Sequence, residues 1–158
     1  MEIRKTAATV TAAGLVAGAV ALSIVPGAAT ARASYTTTRY VAHDVPGQFA
    51  MADIAEPHGQ EPGIGDLMAF TQRLTHDGRT VGRVSNVAIG VDATRHLFQA
   101  NGTMVLPHGR VEFAGLVPQR SHFVLAVTGG TGRYRSARGT LVFDNVRGHQ
   151  LVSLKLLR

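Results

Sequence analysis

The chain has 158 residues, a formal net charge of +6 and no cysteine. A chain of this length fits one ordinary domain. The absence of cysteine excludes disulfides, thiolate nucleophiles, cysteine zinc sites and lipid-bearing cysteines. There is no tryptophan, and the arginines are scattered along the chain, so the sequence does not indicate a basic, aromatic groove for nucleic acid.

The N-terminal segment, residues 1–33, is predicted to be a secretory signal peptide. It begins with a basic pair, Arg4–Lys5, and continues with the uncharged, mostly apolar run Ala8–Val25. Patterns of the A-x-A type place cleavage after Ala31 or Ala33, so we expect the protein to be secreted. The alternative is an uncleaved membrane anchor, but glycines and hydroxyl residues interrupt the apolar run, and no stable anchor is expected.

Residues 34–158 are predicted to form one β domain. This part carries 13 Lys or Arg and 9 Asp or Glu, which leaves a net charge of +4. Runs rich in Val, Thr, Phe and Leu alternate with breaks at Gly, Pro, Asp and Asn, and no stretch keeps a helical period. The predicted strands are Thr37–Val45, Leu67–Leu74, Thr80–Val91, His96–Leu106, Arg110–Val117, Ser121–Thr128, Ala137–Val146 and Gln150–Leu157.

The links between these strands predict how they pair. Segments such as His76–Gly78 and Pro107–Gly109 are typical of tight hairpin turns, in which glycine adopts a positive φ. Short links imply antiparallel neighbours, and a sheet of eight such strands is protected from aggregation when it closes on itself. The predicted fold is therefore all-β, an eight-stranded antiparallel up-and-down barrel of the calycin-like type.

One segment departs from the strand pattern. Residues 51–65 contain prolines, glycines and the acids Asp53, Glu56 and Glu61, which together favour an exposed flexible loop. A loop of this length in a compact domain is commonly either functional or disordered. We expect a flap over one mouth of the barrel or a disordered connection, and the sequence leaves both open.

Polar residues within apolar strands are candidates for a cavity lining. Such positions are Asn86, Gln99, Asn101 and Glu112, and whichever of them face inward would give a cavity hydrogen bonds that orient a ligand; outward exposure is the alternative. Along the third predicted strand, Asn86 shares a face with Gly82, Val84, Ala88 and Gly90, while the other face carries the larger residues. The sequence does not decide which face points inward.

The stretch Val127–Thr140 resembles the GGTG-x-[FY]-x-x-ARG signature of dirigent proteins and of bacterial domains with the allene oxide cyclase barrel. Two other segments are similar to that family: the strand that ends in His43–Asp44, and the start of a second strand at Gly65–Asp66. The resemblance extends over about Thr37–Leu157, nearly all of the predicted domain.

This resemblance implies a cavity-bearing barrel, often a homotrimer, that binds an apolar or aromatic small molecule. Such a barrel guides cyclisation or stereoselective coupling by confinement and needs no cofactor. Asp44 corresponds to the cavity aspartate of dirigent proteins and is a candidate catalytic acid or base, or a cap for the turn before Pro46. Arg138 is the second candidate catalytic residue, with a structural ion pair as its alternative. A non-catalytic ligand-binding or interaction barrel is the alternative function.

The remaining motifs are predicted to be structural or are ruled out. Gly129, Gly130 and Gly132 lie between two predicted strands and are expected to form a turn. They are not expected to bind phosphate, because no helix follows them. Tyr134, within the same signature, is a candidate cavity residue. The seven histidines lack metal-binding spacing, and no serine sits in a G-x-S-x-G elbow, so neither a metal site nor a serine hydrolase is expected.

Overall fold

A computed structural model describes residues 34–54, 63–146 and 148–158 of the chain. The strands form a closed barrel in which every neighbour is antiparallel, and the last strand pairs with the first. This confirms the predicted fold class. The strands are β1 (Tyr35–Ala52), β2 (Leu67–His76), β3 (Arg79–Asp92), β4 (Leu97–Leu106), β5 (Gly109–Pro118), β6 (His122–Gly132), β7 (Gly139–Val146) and β8 (His149–Leu157).

The predicted signal peptide, residues 1–33, lies outside the described residues. No helix in the described part of the chain is both long enough and apolar enough to cross a membrane.

The connections alternate between the two ends of the barrel, because neighbouring strands run in opposite directions. One end, called here the hairpin end, carries the β2–β3, β4–β5 and β6–β7 turns together with the start of β1 and the end of β8. The β2–β3 turn has positive φ at Asp77 (49°) and Gly78 (74°), which is the geometry that an Asp-Gly hairpin favours. The other end, called the mouth, carries the β1–β2 and β7–β8 connections.

Side chains fill the middle of the barrel. The face of β3 that carries Val84, Asn86 and Ala88 is buried and points inward, so the structure settles the question that the sequence left open. Phe113 and Phe143 lie at the centre with ring centroids 6.1 Å apart. Burying each such ring stabilises the fold by about 1.5–3 kcal/mol. The main core comprises Tyr40, Ala42, Leu74, Val84, Met104, Leu106, Val111, Phe113, Leu125, Val127, Leu141, Phe143, Val152 and Leu154.

The first strand is longer than predicted. It continues past the expected end at Val45 to Ala52, because the chain forms a bulge rather than a turn. Asp44 pairs with Gln72 and Phe49 pairs with Phe70, so Val45–Gln48 lie opposite a single residue of β2. The beginning of the predicted loop therefore belongs to β1. Residues 55–62, the centre of that loop, lie outside the described residues.

The glycine-rich signature also differs from the expectation. Gly129, Gly130 and Gly132 lie in the last part of β6 and pair with β5, and the turn follows at residues 133–136. The close approach of β5 explains the glycine at position 130, because a Cβ there would lie 2.2 Å from the carbonyl oxygen of Arg110. Arg138 lies just before β7 rather than inside the predicted strand.

Candidate functional site

A step in the rim of the barrel is created by the unequal pairing of β1. This strand pairs with β8 only as far as Ala42, opposite Gln150, but it continues along β2 to Asp44 and beyond the bulge. A cavity of about 700 Å³ lies at this step. We call it the rim cavity; it is lined by Ala42, His43, Asp44, Gln72, Arg73, Asn145, Gly148, His149 and Gln150.

Asp44 and Gln72 form the centre of the site. They are directly opposite each other on the inner face of β1 and β2. The Gln72 Nε2 donates a 2.9 Å hydrogen bond to the Asp44 Oδ1. Gln72 is buried, whereas Asp44 is exposed at the rim. The hydrogen bond therefore orients a solvent-accessible carboxylate, and its second oxygen remains available to accept a proton or a hydrogen bond.

A second cavity, of about 500 Å³, lies on the other side of the same pair. We call it the bulge cavity, since it is enclosed by the β1 bulge and by Phe70–Gln72 of β2. Its apolar walls come from Val45, Pro46, Phe49 and Phe70. Phe49 is 63% exposed, so its ring is accessible, and apolar walls with a few polar groups are typical of small-molecule sites. Asp44 and Gln72 thus separate an apolar-walled space from a polar one.

Two glutamines that line the rim cavity each have a buried amide oxygen without a hydrogen-bond partner in the described residues. Gln150 Nε2 donates to Asn145 Oδ1 at 2.9 Å, which leaves the Gln150 Oε1 without a partner. The Gln72 Oε1 is likewise buried and unpaired. Most buried polar atoms in proteins have a hydrogen-bond partner, so two such oxygens at one cavity call for an explanation.

The predicted site residues are divided among three places. Asn86 lies on the inner face of β3 near Gln72, with its Oδ1 buried and unpaired. Gln99 lies on the outer face of β4, because its neighbour Ala100 is fully buried on the inner face. Tyr134 lies in the β6–β7 turn at the hairpin end. The structure therefore places Asp44 at the rim and Asn86 in the barrel interior, and it leaves Gln99 and Tyr134 elsewhere.

Arg138 lies far from Asp44. Its Nη1 donates to the carbonyl oxygens of Ala137 (2.8 Å) and Thr128 (3.3 Å), so the guanidinium holds the β6–β7 turn. The Arg138 carbonyl accepts from Leu157, whose β1 partner is Tyr35. Asp44 is about 30 Å along β1 from Tyr35, at about 3.3 Å per residue. The two candidate catalytic residues therefore do not share a site.

Gln72 and Gln150 are site residues that the sequence analysis missed. The sequence does contain an indication for Gln72, because this polar residue alternates with Phe70 and Leu74 on one face of a largely apolar strand. The signal for Gln150 was weaker, since the residue begins a strand next to a turn. Within residues 34–54, 63–146 and 148–158, no group of three or more His, Asp or Glu side chains is placed to hold a metal ion.

A groove of about 680 Å³ lies on the outer face of the barrel. It follows a row of small and polar side chains across β2 to β5. Thr71 and Ser85 are hydrogen-bonded at 2.9 Å, and Thr103 donates to Glu112 at 2.6 Å. These hydroxyl and carboxylate groups are thus hydrogen-bonded to one another within the row.

Residues 47–156 match the family described as the allene oxide cyclase barrel like domain. A pyocyanin demethylase of known structure is 26% identical, with a TM-score of 0.68 over 77% of this chain and 99% of that chain. A pterocarpan synthase dirigent protein is 20% identical, with a TM-score of 0.59 over 78% and 83%. An exo-specific intermolecular Diels–Alderase is 11% identical, with a TM-score of 0.58 over 79% and 99%. No curated protein sequence was found to match. The chain therefore belongs to the family of allene oxide cyclase barrel-like domains, as its glycine-rich signature indicated.

Proposed function

We propose that this protein is a secreted barrel that binds an apolar or aromatic small molecule at the rim and guides its cyclisation or coupling. The observation that carries the proposal is the Asp44–Gln72 pair between an apolar-walled cavity and a polar one. An apolar body fits against Phe49 and Phe70, and a polar group on the same molecule reaches Asp44. Such an arrangement fixes both the position and the orientation of the ligand.

The proposed chemistry relies on confinement. A reactive molecule held in one orientation reacts along one path. Holding the reacting groups together also lowers the entropic part of the activation barrier. Asp44 supplies one group that can accept or donate a proton near the ligand. We assign no catalytic role to Arg138, because its guanidinium binds backbone carbonyls at the hairpin end.

The structural relatives support this class of function. A synthase of the dirigent type, a demethylase and a Diels–Alderase all have this barrel. They share the scaffold and act on different molecules, so the chemistry of each depends on the side chains at its site.

A non-catalytic barrel that binds a ligand or a partner is the second candidate. The packed interior favours it, since Phe113, Phe143 and their neighbours fill the central space where a large substrate would otherwise lie. In that case the rim retains a ligand without transforming it.

Native mass spectrometry of the protein isolated from its producing cells tests the proposal. A retained small molecule that is lost in Asp44→Ala, but kept in Asp53→Ala, supports binding at the rim. Asp53 is the control because its carboxylate is exposed and lines none of the three cavities. A ligand-free mass under gentle conditions, and no turnover of added aromatic compounds, would refute it.

Secretion and assembly are further parts of the proposal. Apolar side chains on the outer face, among them Val87, Ile89, Leu116 and Val124, are 43–52% exposed beside or near the outer groove. We expect them to be covered by other copies of the chain in a homotrimer. Light scattering should give the mass of a trimer, and a monomeric mass would refute the proposed homotrimer. N-terminal sequencing of protein from the culture medium should begin at Arg32 or Ser34.

A further inference from the structure

Two arginines lie directly opposite each other on the outer face of the barrel. Arg73 of β2 pairs in register with Arg83 of β3, and both residues are exposed. They belong to the outer face because their neighbours Gln72, Leu74 and Val84 are buried on the inner face. The β-carbons of residues paired in this way lie about 4.5–5.5 Å apart, so the two guanidinium groups can contact the same bound group.

Further cationic residues extend this pair into a row across the sheet. His43 of β1 is directly opposite Arg73, and Arg110 of β5 is separated from Arg83 by Val105 of β4. At about 4.8 Å between neighbouring strands, the row from β1 to β5 is about 19 Å long. We call Arg73, Arg83, Arg110 and His43 the cationic row. Its arginines are permanently charged, and the histidine adds a further charge when protonated.

The arginines of the cationic row have no ion pair with another described residue. None of the salt bridges in the described part of the chain includes Arg73, Arg83 or Arg110. Glu112 lies two residues from Arg110 on the same face of β5, but its Oε2 accepts a hydrogen bond from the Thr103 hydroxyl. Like charges directly opposite each other destabilise a sheet. Side-chain arrangements that cost stability in this way are expected at functional sites.

A pair of hydroxyl groups adjoins the two arginines. Thr71 and Ser85 are directly opposite each other, two residues from Arg73 and Arg83 on the same outer face, and their hydroxyl oxygens are 2.9 Å apart. One hydroxyl donates its hydrogen to the other, which keeps its own hydrogen for a further acceptor. Thr71 and Ser85 also line the outer groove. Two guanidinium groups and a hydroxyl donor beside a concave surface are a set of donors that suits an oxyanion.

We propose that the Arg73–Arg83 pair binds a phosphate or sulfate group. Each planar guanidinium can donate two parallel hydrogen bonds to such an oxyanion, and the hydroxyl pair supplies a further donor. The negative charge of the bound group offsets the repulsion between the two arginines. Arg110 and His43 increase the positive potential around the site. The oxyanion belongs either to a small molecule or to the headgroup of an anionic phospholipid, since both present the same chemistry.

This site is separate from the ligand site proposed at the rim. Asp44 and Gln72 belong to the inner faces of β1 and β2, and although Arg73 borders the rim cavity, Arg83 does not. The site is also apart from the apolar side chains proposed to form the trimer contact, because Val87 lies four residues, or about 13 Å, from Arg83 along β3. Failure of one proposal therefore leaves the other standing.

Thermal unfolding of the purified chain in sodium phosphate tests the site, with sodium chloride at the same ionic strength as the reference. A bound anion stabilises the folded state by mass action, so phosphate should raise the unfolding temperature by about 2–5 °C more than chloride does. Arg83→Gln should lose this additional response. Without phosphate, however, Arg83→Gln should unfold about 1–3 °C higher than the wild-type chain, because the repulsion between like charges is removed. An arginine with a merely structural role would not produce this combination.

Three further variants complete the test. Arg73→Gln should behave like Arg83→Gln. Arg83→Lys keeps the charge but not the planar fork, so it should retain only part of the response to phosphate. Arg120→Gln is the matched control, because it removes the same charge from an exposed arginine outside the cationic row and should respond like the wild-type chain. Phosphate also stabilises proteins generally through exclusion from their surface, and this control measures that contribution.

Sedimentation with lipid vesicles distinguishes the two sources of the oxyanion. If the source is a lipid headgroup, vesicles of phosphatidylcholine with phosphatidylglycerol should sediment the wild-type chain but not Arg83→Gln. A response to free phosphate without sedimentation identifies a small molecule as the source. The inference is overturned if the wild-type chain and Arg83→Gln respond equally in both measurements, or if the wild-type chain responds in neither.

Discussion

Asp66 ties the end of β1 to the start of β2. Its Oδ1 accepts a 3.0 Å hydrogen bond from the backbone nitrogen of Ile54, and its Oδ2 accepts a 2.5 Å bond from that of Gly63. The Asp66 side chain is buried, so these bonds are protected from water. A single carboxylate thus binds the backbone on both sides of the β1–β2 connection.

Replacing Asp66 by alanine should therefore lower the free energy of unfolding. The loss of two charge-assisted hydrogen bonds in a buried position is expected to cost about 2–3 kcal/mol. Urea unfolding measures this change, and hydrogen exchange at the Ile54 and Gly63 amides should become faster. The exposed variant Asp53→Ala is the control and should change stability by less than about 0.5 kcal/mol. If hydrogen exchange at these two amides were unchanged in Asp66→Ala, their hydrogen bonds to the Asp66 carboxylate would be refuted.

Two adjacent glycines of the signature should respond differently to alanine. A Cβ at Gly130 would lie 2.2 Å from the Arg110 carbonyl oxygen and 2.7 Å from that of Tyr134, whereas at Gly129 the nearest atom is an Arg138 nitrogen at 3.9 Å. Gly130→Ala is expected to destabilise the protein by about 2–3 kcal/mol, because two backbone segments must move. Gly129→Ala should be neutral or slightly stabilising. Thermal unfolding of the two variants checks this, and equal effects would refute the close approach.

Replacing Asn86 by leucine should stabilise the protein. Asn86 is 6% exposed, and its Oδ1 has no partner in the described residues. Leucine has a similar shape and removes a buried unpaired amide oxygen, so the free energy of unfolding should rise by about 1–2 kcal/mol. Asn101→Leu, on the outer face of β4, is the matched control and should not stabilise. A destabilised Asn86→Leu would show that the Asn86 amide is paired with ordered water.

Tyr40 should ionise at a higher pH than an ordinary tyrosine does. Burial raises the pKa of Tyr40, the negative charge of the Tyr134 phenolate raises it further, and a hydrogen bond with Thr38 partly opposes both effects. Below a pH of about 10 the phenol is neutral in the folded and unfolded chain alike, so its contribution to stability is constant. Above that pH the unfolded chain ionises first, and stability is lost as the pH rises toward the folded pKa.

Phenolate absorbance measures this titration directly. Tyr40→Phe should remove a titration step that lies above the ordinary tyrosine pKa of about 10. If a step above that range persisted in Tyr40→Phe, its assignment to the buried Tyr40 phenol would be wrong.

The barrel could be predicted from the sequence because strands and tight turns are defined by short, local sequence patterns. Alternating apolar residues and tight turns such as His76–Gly78 define the strands, and closure follows from their antiparallel order. The β1 bulge was not predictable in the same way, since Pro46 and Gly47 favour a turn as strongly as a bulge. Only the pairing of Phe49–Ala52 with Leu67–Phe70 shows that the strand continues.

The candidate site was predicted in part. Asp44 was identified through a family resemblance, and Asn86 through its polarity in an apolar strand; both lie on the inner face of the barrel. The pairing of Asp44 with Arg138 had no support from sequence spacing, and the structure places Arg138 at the opposite end. The contact of Gln72 with Asp44 could not be predicted from the sequence, because the two residues are 28 positions apart.

The closing pair of strands determines where an attachment to the barrel would emerge. The backbone nitrogen of Arg158 donates a 3.0 Å hydrogen bond to the carbonyl oxygen of Ser34, so the two ends of the domain meet at the hairpin end. A tag, a fused protein or a solid support joined at either position would leave the rim open to solution. A short peptide joining the two positions would also yield a circular permutant, with new termini in an exposed turn and the rim unaltered.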